Sequence, residues 1–178
     1  MNHKLIMGSK KYARMGFIIM LESTLVKKLE SLPSHIIEVS TPREGRILLL
    51  VGKENLKDVI SCLKEEGFTH LAGITALETD DAFELLYHLS RGGTLLTVRV
   101  NLPLNDDTVP TITDVIPGAL LYEREIHDLF GVEFEGHPNL EPLILPDDWP
   151  KDVYPLRRNG TTKRRETKEE SKSPRTDV

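Results

Sequence analysis

Five side chains capable of acid–base or metal chemistry crowd one short stretch: Glu123, Glu125, His127, Asp128 and His137. Carboxylates and imidazoles are common metal ligands and common proton carriers in hydrolytic sites. Their spacing does not converge. At about 100° per helical residue, His127 falls about 140° and Glu125 about 300° around from Tyr122, so the two point apart. No HExxH pattern occurs, and no two histidines stand at i and i+4. The same rotation places Tyr122, Ile126, Leu129 and Phe130 in one apolar arc, with Arg124, Glu125 and Asp128 on the other side. Arg124 and Asp128 form an i,i+4 pair, which on an exposed face contributes roughly a few tenths of a kcal/mol. The expectation is a solvated charged face over a core-facing stripe. The alternative is a free-standing metal-dependent enzyme built on the Glu, Asp and His side chains of 123–137. It predicts bound metal or hydrolytic activity in the isolated chain, lost on His137→Ala.

The elements that position these residues can be read outward from them. Pro117 suits a first helical turn and Gly131 the left-handed position just past a last one, which predicts a helix over Pro117–Phe130. After Gly131 the chain becomes irregular, with Gly136-His137-Pro138, Pro142, Pro146, Asp147, Asp148, Trp149 and Pro150. Proline-fixed extended chain lies on surfaces, here expected to be partly a partner's. The Leu143-Ile144-Leu145 triplet is a short apolar anchor within it.

In order along this region stand Glu123-Arg124-Glu125, Asp128-Leu129-Phe130-Gly131, Gly136-His137-Pro138-Asn139-Leu140 and Leu145-Pro146-Asp147-Asp148-Trp149. Together they resemble the signature of the 30-kDa subunit family of complex I, the NADH–quinone oxidoreductase. That family includes the equivalent subunit of membrane-bound nickel–iron hydrogenases and of related ferredoxin-linked complexes. Leu121 stands where many members carry tryptophan, and His127 where an aromatic is common. Pro155-Leu156-Arg157 matches a familiar step, followed by Arg158-Asn159 in place of Lys-Asp. The resemblance implies a cofactor-free structural subunit of a hydrophilic arm. It would pack on a large subunit of nickel–iron-hydrogenase type, near a small iron–sulfur subunit. Iron–sulfur clusters, and in hydrogenase-type complexes a nickel–iron centre, would belong to those partners. It also implies roles for particular residues. Glu123, Arg124, Glu125 and Asp128 would fix the helix against the following loop and the partner. Gly131 and Gly136 would permit turns, His137 and Pro138 would hold the extended segment, and Phe130, Asp147, Asp148, Trp149 and Arg157 would meet the partner.

Composition bounds the rest. With 178 residues the chain is one domain's length. From Arg157 onward eight Lys/Arg face four acids, and before it fifteen face twenty-four, so an acidic body carries a basic tail. The single cysteine, Cys62, leaves no internal disulfide and no self-contained iron–sulfur or cysteine-rich zinc site. Glutamine is absent while Glu and Lys abound, a thermophile-like composition. The apolar run Gly16–Leu21 is far short of the roughly 20 residues a spanning helix needs, so a membrane is expected to be reached through partners, from the cytoplasmic side. Lys163-Arg164-Arg165 in the tail does not make a nucleic-acid site, since acids interleave and no aromatic accompanies them.

The expected organisation is an N-terminal extension (1–20), an α+β domain (21–113), the signature helix with its docking segment (114–158) and a charged disordered tail (159–178). Glu22–Leu32 and Lys53–Glu66 read as helices. His35–Ser40, Arg46–Val51, His70–Ala76, Ala82–Leu89 and Thr94–Asn101 read as strands, and 102–113 as a loop. That order describes helices packed on one antiparallel sheet. His70 and His88 are isolated and are expected to be ordinary sheet residues.

Overall fold

The computed structural model describes residues 36–158. The expected extension over 1–20, the helix over Glu22–Leu32 and the tail over 159–178 lie outside the described residues.

The two β-rich runs around Pro42-Arg43-Glu44-Gly45 form a hairpin, β1 (Ile36–Arg43) and β2 (Arg46–Val51). A 3-10 turn then leads into α1 (Leu56–Glu65), which buries Leu56, Val59, Ile60 and Leu63 on one face. The helix closes with a Schellman pattern. Phe68 N–H donates to the Leu63 carbonyl and Gly67 N–H to the Lys64 carbonyl, each at 2.9 Å, while the Phe68 ring enters the core.

Beyond α1, strands β3 (His70–Glu78), β4 (Ala82–Arg91) and β5 (Thr94–Pro103) return as two hairpins. The second turns on Gly92-Gly93 at φ +58° and +98°, the pair of left-handed positions that a two-residue connection requires. The sheet order is β1-β2-β5-β4-β3. The expected α+β arrangement holds, and the sheet is antiparallel except where β2 meets β5 in parallel, from Arg46↔Leu95 to Val51↔Val100. The exception follows from connectivity. The helical crossover returns β3 in the direction of β2, and two hairpins restore that direction in β5.

Phe83, Leu85, Tyr87 and Leu89 alternate onto one face of β4 and are fully buried with Leu96, Val98 and Val100 of β5 and Ile47, Leu49 and Val51 of β2. That period of two decides strand over helix there. The expected loop at 102–113 is corrected in one place. A three-residue strand, β6 (Thr108–Pro110), pairs in parallel with β7 (Glu133–Glu135), burying Val109 and Phe134. Between them a 3-10 turn at Pro117–Ala119 opens α2 (Leu120–Phe130), the signature helix.

Candidate functional site

Helix α2 is held from two directions, and its charged residues do the holding. Toward the core, Ile126 is buried while Tyr122 and Phe130 pack half-buried against the core. Glu123, read from its spacing as part of a solvated face and from the resemblance as partner-binding, is 0% exposed. This corrects both expectations. Its Oε1 accepts the Ile112 N–H at 2.9 Å and its Oε2 accepts the Thr111 hydroxyl at 2.5 Å. The Thr111 oxygen in turn lies 2.9 Å from the Thr113 hydroxyl and accepts the Thr113 N–H at 3.2 Å. Burial pushes the Glu123 carboxyl up to about 7, and only part of that is offset by the Ile112 and Thr111 hydrogen bonds. Beneath it the Tyr87 hydroxyl is sealed in without a hydrogen-bond partner among the described residues. Burial, and secondarily the charge of Glu123, hold its pKa well above the usual phenol value.

On its other side α2 faces residues 136–158, a strap that doubles back along the helix. The Arg124–Asp128 ion pair expected from the spacing is not formed; both side chains reach the strap instead. Arg124 Nε donates to the Glu141 carbonyl at 3.0 Å and Nη2 to the Pro142 carbonyl at 2.9 Å. Asp128 Oδ2 accepts three consecutive backbone donors, Leu143 N–H at 3.2 Å, Ile144 N–H at 2.7 Å and Leu145 N–H at 2.8 Å. A carboxylate capping three N–H groups of non-helical chain takes the place of the partners that secondary structure would supply. Glu125 is exposed and makes no hydrogen bond or ion pair with a described residue.

The strap starts at Gly136, φ +83°, where His137 turns back toward the helix. Its Nδ1 accepts the Asn139 N–H at 3.0 Å, so the proton resides on Nε2, which donates to the Leu120 carbonyl at 3.2 Å. His137 is thus committed to backbone on both nitrogens. His127 donates from Nδ1 to the Val132 carbonyl at 2.9 Å. His127 Nδ1 also lies 3.9 Å from Glu133 Oε2, but among the described residues no three His, Cys, Asp or Glu side chains converge as a ligand set.

The far end of the strap locks onto the helix C-terminus. Gly131 is left-handed at φ +70°, and the Tyr154 ring lies directly against it. A Cβ built at 131 would overlap the ring at Tyr154 Cε2, so Gly131→Ala adds a clash to an unfavourable backbone angle. We expect it to lower stability by about 2 kcal/mol or more in chemical denaturation, with Tyr154→Ala in the same chain recovering part of the loss.

Arg157 completes the lock. Its Nε donates to the Phe130 carbonyl at 2.7 Å and its Nη2 pairs with Asp107 at 3.0 Å. The guanidinium lies 4.9 Å from the centroid of Phe83 and 5.1 Å from that of Tyr154. Expected at a partner, it is engaged within its own chain. Arg157→Lys keeps the charge but loses the planar fork and stacking; it should cost about 1–2 kcal/mol, measured as unfolding midpoint, and a cycle with Asp107→Asn should show the two coupled. Asp107, Thr111 and Tyr154 carry no distinguishing sequence signal. Asp107 is one of a run of polar loop residues, and only the tertiary contact separates it from Asp106, which pairs with Lys53.

The remaining expected contact residues, Pro138, Asp147, Asp148 and Trp149, are exposed. Trp149 is nevertheless fixed, its Nε1 donating to the Val153 carbonyl at 2.8 Å and its N–H to the Pro146 carbonyl at 2.9 Å. Leu143, Ile144 and Leu156 also project outward, Ile144 at 57% exposure and Leu156 at 51%.

The family described as "Respiratory-chain NADH dehydrogenase, 30 Kd subunit" matches residues 49–166. The chain is similar to an NADH-quinone oxidoreductase subunit of Roseiflexus sp. (strain RS-1), 30% identical over 145 residues covering 77% of this chain and 82% of that one. It is 34% identical over 142 residues to an NADH-quinone oxidoreductase polypeptide of Gluconacetobacter diazotrophicus whose name joins two subunit designations. That match covers 71% of this chain and 23% of the longer polypeptide. Among solved structures it resembles a chain of the membrane-bound sulfane sulfur reductase, an archaeal respiratory membrane complex. The TM-score there is 0.69 at 33% identity, covering 78% of this chain and 84% of that one.

Proposed function

Because the chain belongs to the family of the 30 Kd subunit of the respiratory-chain NADH dehydrogenase, we propose that it serves its complex as a non-catalytic docking subunit. Its strap binds the large hydrogenase-type subunit, near the small iron–sulfur subunit. One observation carries the reading. The backbone of the strap is pinned inward by Arg124, Asp128, His137 and Arg157, while Leu143, Ile144, Trp149 and Leu156 face solvent. Rigid backbone with outward apolar side chains is the anatomy of an interface core. The double-named relative from Gluconacetobacter diazotrophicus supports a tight association with another subunit, since one polypeptide there bears both designations.

The redox centres on this reading belong to the partner subunits. Among the described residues no helix is long and apolar enough to cross a membrane, and on this reading the chain reaches the membrane's cytoplasmic face through the rest of the complex. Glu125, Asp147 and Asp148 supply the polar rim, and the exposed Pro138 is a further contact.

The test is recovery of the tagged full chain from its native membranes in mild detergent, with co-purifying chains identified and nickel and iron assayed. An iron–sulfur subunit and a hydrogenase-like large subunit are the expected companions. A lone soluble protein carrying stoichiometric metal would overturn the docking role and favour the enzyme.

A further inference from the structure

Between the C-terminal end of α2 and residues 142–154 of the strap lies a cavity of about 330 Å³. Its walls are largely apolar and aromatic, with Pro146, Trp149, Pro150 and Tyr154 among them, and Asp147 and Asp152 also line it. The cavity is stiff. Prolines 146, 150 and 155 restrict the chain, Trp149 is tied at both nitrogens, and Asp152 is held at φ +62°. Preformed walls lose little entropy on binding.

The charge of this cavity is unmatched. Asp128, Asp147 and Asp152 line it against a single Lys151, and neither Asp147 nor Asp152 makes an ion pair with a described residue. Asp128 is already occupied by three strap N–H groups, which leaves Asp147 and Asp152 as the acceptors on offer. A long apolar stem ending in a planar cation fits such walls, because a guanidinium stacks on an indole face and pairs with carboxylates at its edge. The protein shows this combination at the adjoining lock, where Arg157 lies beside Phe83 and Tyr154 and pairs with Asp107.

We infer that this cavity receives an arginine side chain of the partner subunit, seated along Trp149 with its guanidinium between Asp147 and Asp152. The inference rests on the docking role and names the chemistry of the contact. An arginine seated there brings a charge pair to the interface. Neutralising the acids therefore weakens the complex, and the deficit is widest at low salt.

The experiment purifies the complex through a tag on another subunit and measures how much of the full chain stays bound across a salt series. Asp147→Asn with Asp152→Asn, folded as judged by an unchanged unfolding midpoint, should lower retention about tenfold or more. Trp149→Leu, which keeps apolar bulk without the indole face, should lower it as well. Normal retention of the doubly neutral chain would overturn the arginine assignment. If Trp149→Leu alone releases the chain, the occupant is apolar. If neither change matters but Leu143→Asp with Ile144→Asp releases it, the strap docks and the cavity is not the contact. Absence of the unaltered chain from the complex would instead overturn the docking role itself. A chain ending at Arg158 tests whether its own basic tail is the occupant: a changed Trp149 emission in the isolated protein would assign the cavity to the tail and overturn the partner arginine. Trp149 is the single tryptophan, so that emission is unambiguous.

Discussion

Glu123→Ala should lower the stability of the folded chain by about 3–5 kcal/mol, the largest single effect expected outside the apolar core. The substitution strands the Ile112 N–H in a region closed to water and leaves the Thr111 hydroxyl with only the Thr113 oxygen to donate to. Each buried donor left without an acceptor costs about 1–3 kcal/mol, and the vacated volume adds to that. Glu123→Gln separates the hydrogen bonds from the charge. Its carbonyl can accept the Ile112 N–H while its amide donates to the Thr111 oxygen, and nothing ionises.

The pH dependence then has a fixed sign. In the folded chain the Glu123 carboxyl keeps its proton until about pH 7, whereas in the unfolded chain it ionises near its ordinary value of 4.5. The stability this proton affinity contributes is complete below about pH 4.5, declines as pH rises and is gone above about 7. The interval corresponds to roughly 3 kcal/mol. Urea unfolding of the two chains from pH 4.5 to 8 should therefore show Glu123→Gln gaining on the parent by about that amount. A difference that stays constant across the range would refute the buried, proton-holding carboxyl.

Asp128→Ala should free the strap without unfolding the sheet. Three consecutive N–H groups lose one shared carboxylate oxygen, for an expected loss of about 2–4 kcal/mol. Amide exchange at Leu143, Ile144 and Leu145 should accelerate sharply, and trypsin should begin to cut at Lys151, while exchange in β4 and β5 stays slow. Unchanged exchange at 143–145 would show that the strap is held by its other ties. Asp128→Asn is the informative partner experiment. The neutral amide oxygen is a weaker acceptor, and its NH2 group meets donors, so an intermediate loss is expected. If the strap is the docking element, retention in the complex should fall in the same order, from parent to Asn to Ala.

These two residues also mark where reading from sequence stops. Periodicity was sufficient for α1, whose Leu56, Val59, Ile60 and Leu63 all turn inward, and for β4, whose alternate residues do the same. Both patterns arise because one local repeat meets one continuous core. Along α2 the same reasoning located the helix, its glycine stop and Ile126, but misplaced Glu123 and Asp128. A helical wheel has one buried side only when a single surface covers it. Here the sheet and the 111–113 loop lie on one side and the strap on the other, so charged residues between the apolar stripe and solvent are enclosed after all.

The order of the signature motifs was enough to indicate the family, and the proline content was enough to indicate a strap. Hairpin turns, helix stops and strand faces were legible because each depends on a few neighbouring residues. Long-range partners were not. The parallel seam of β2 with β5, the β6–β7 pair and the Arg157–Asp107 lock each join residues far apart in the chain, and the Glu123 carboxyl meets an Ile112 N–H that no local repeat would place beside it. Hydrophobic period says which side of an element is buried; it says nothing of which distant backbone arrives to accept or donate a hydrogen bond. That pairing was decided only when the crossover helix and the returning strap brought those segments together.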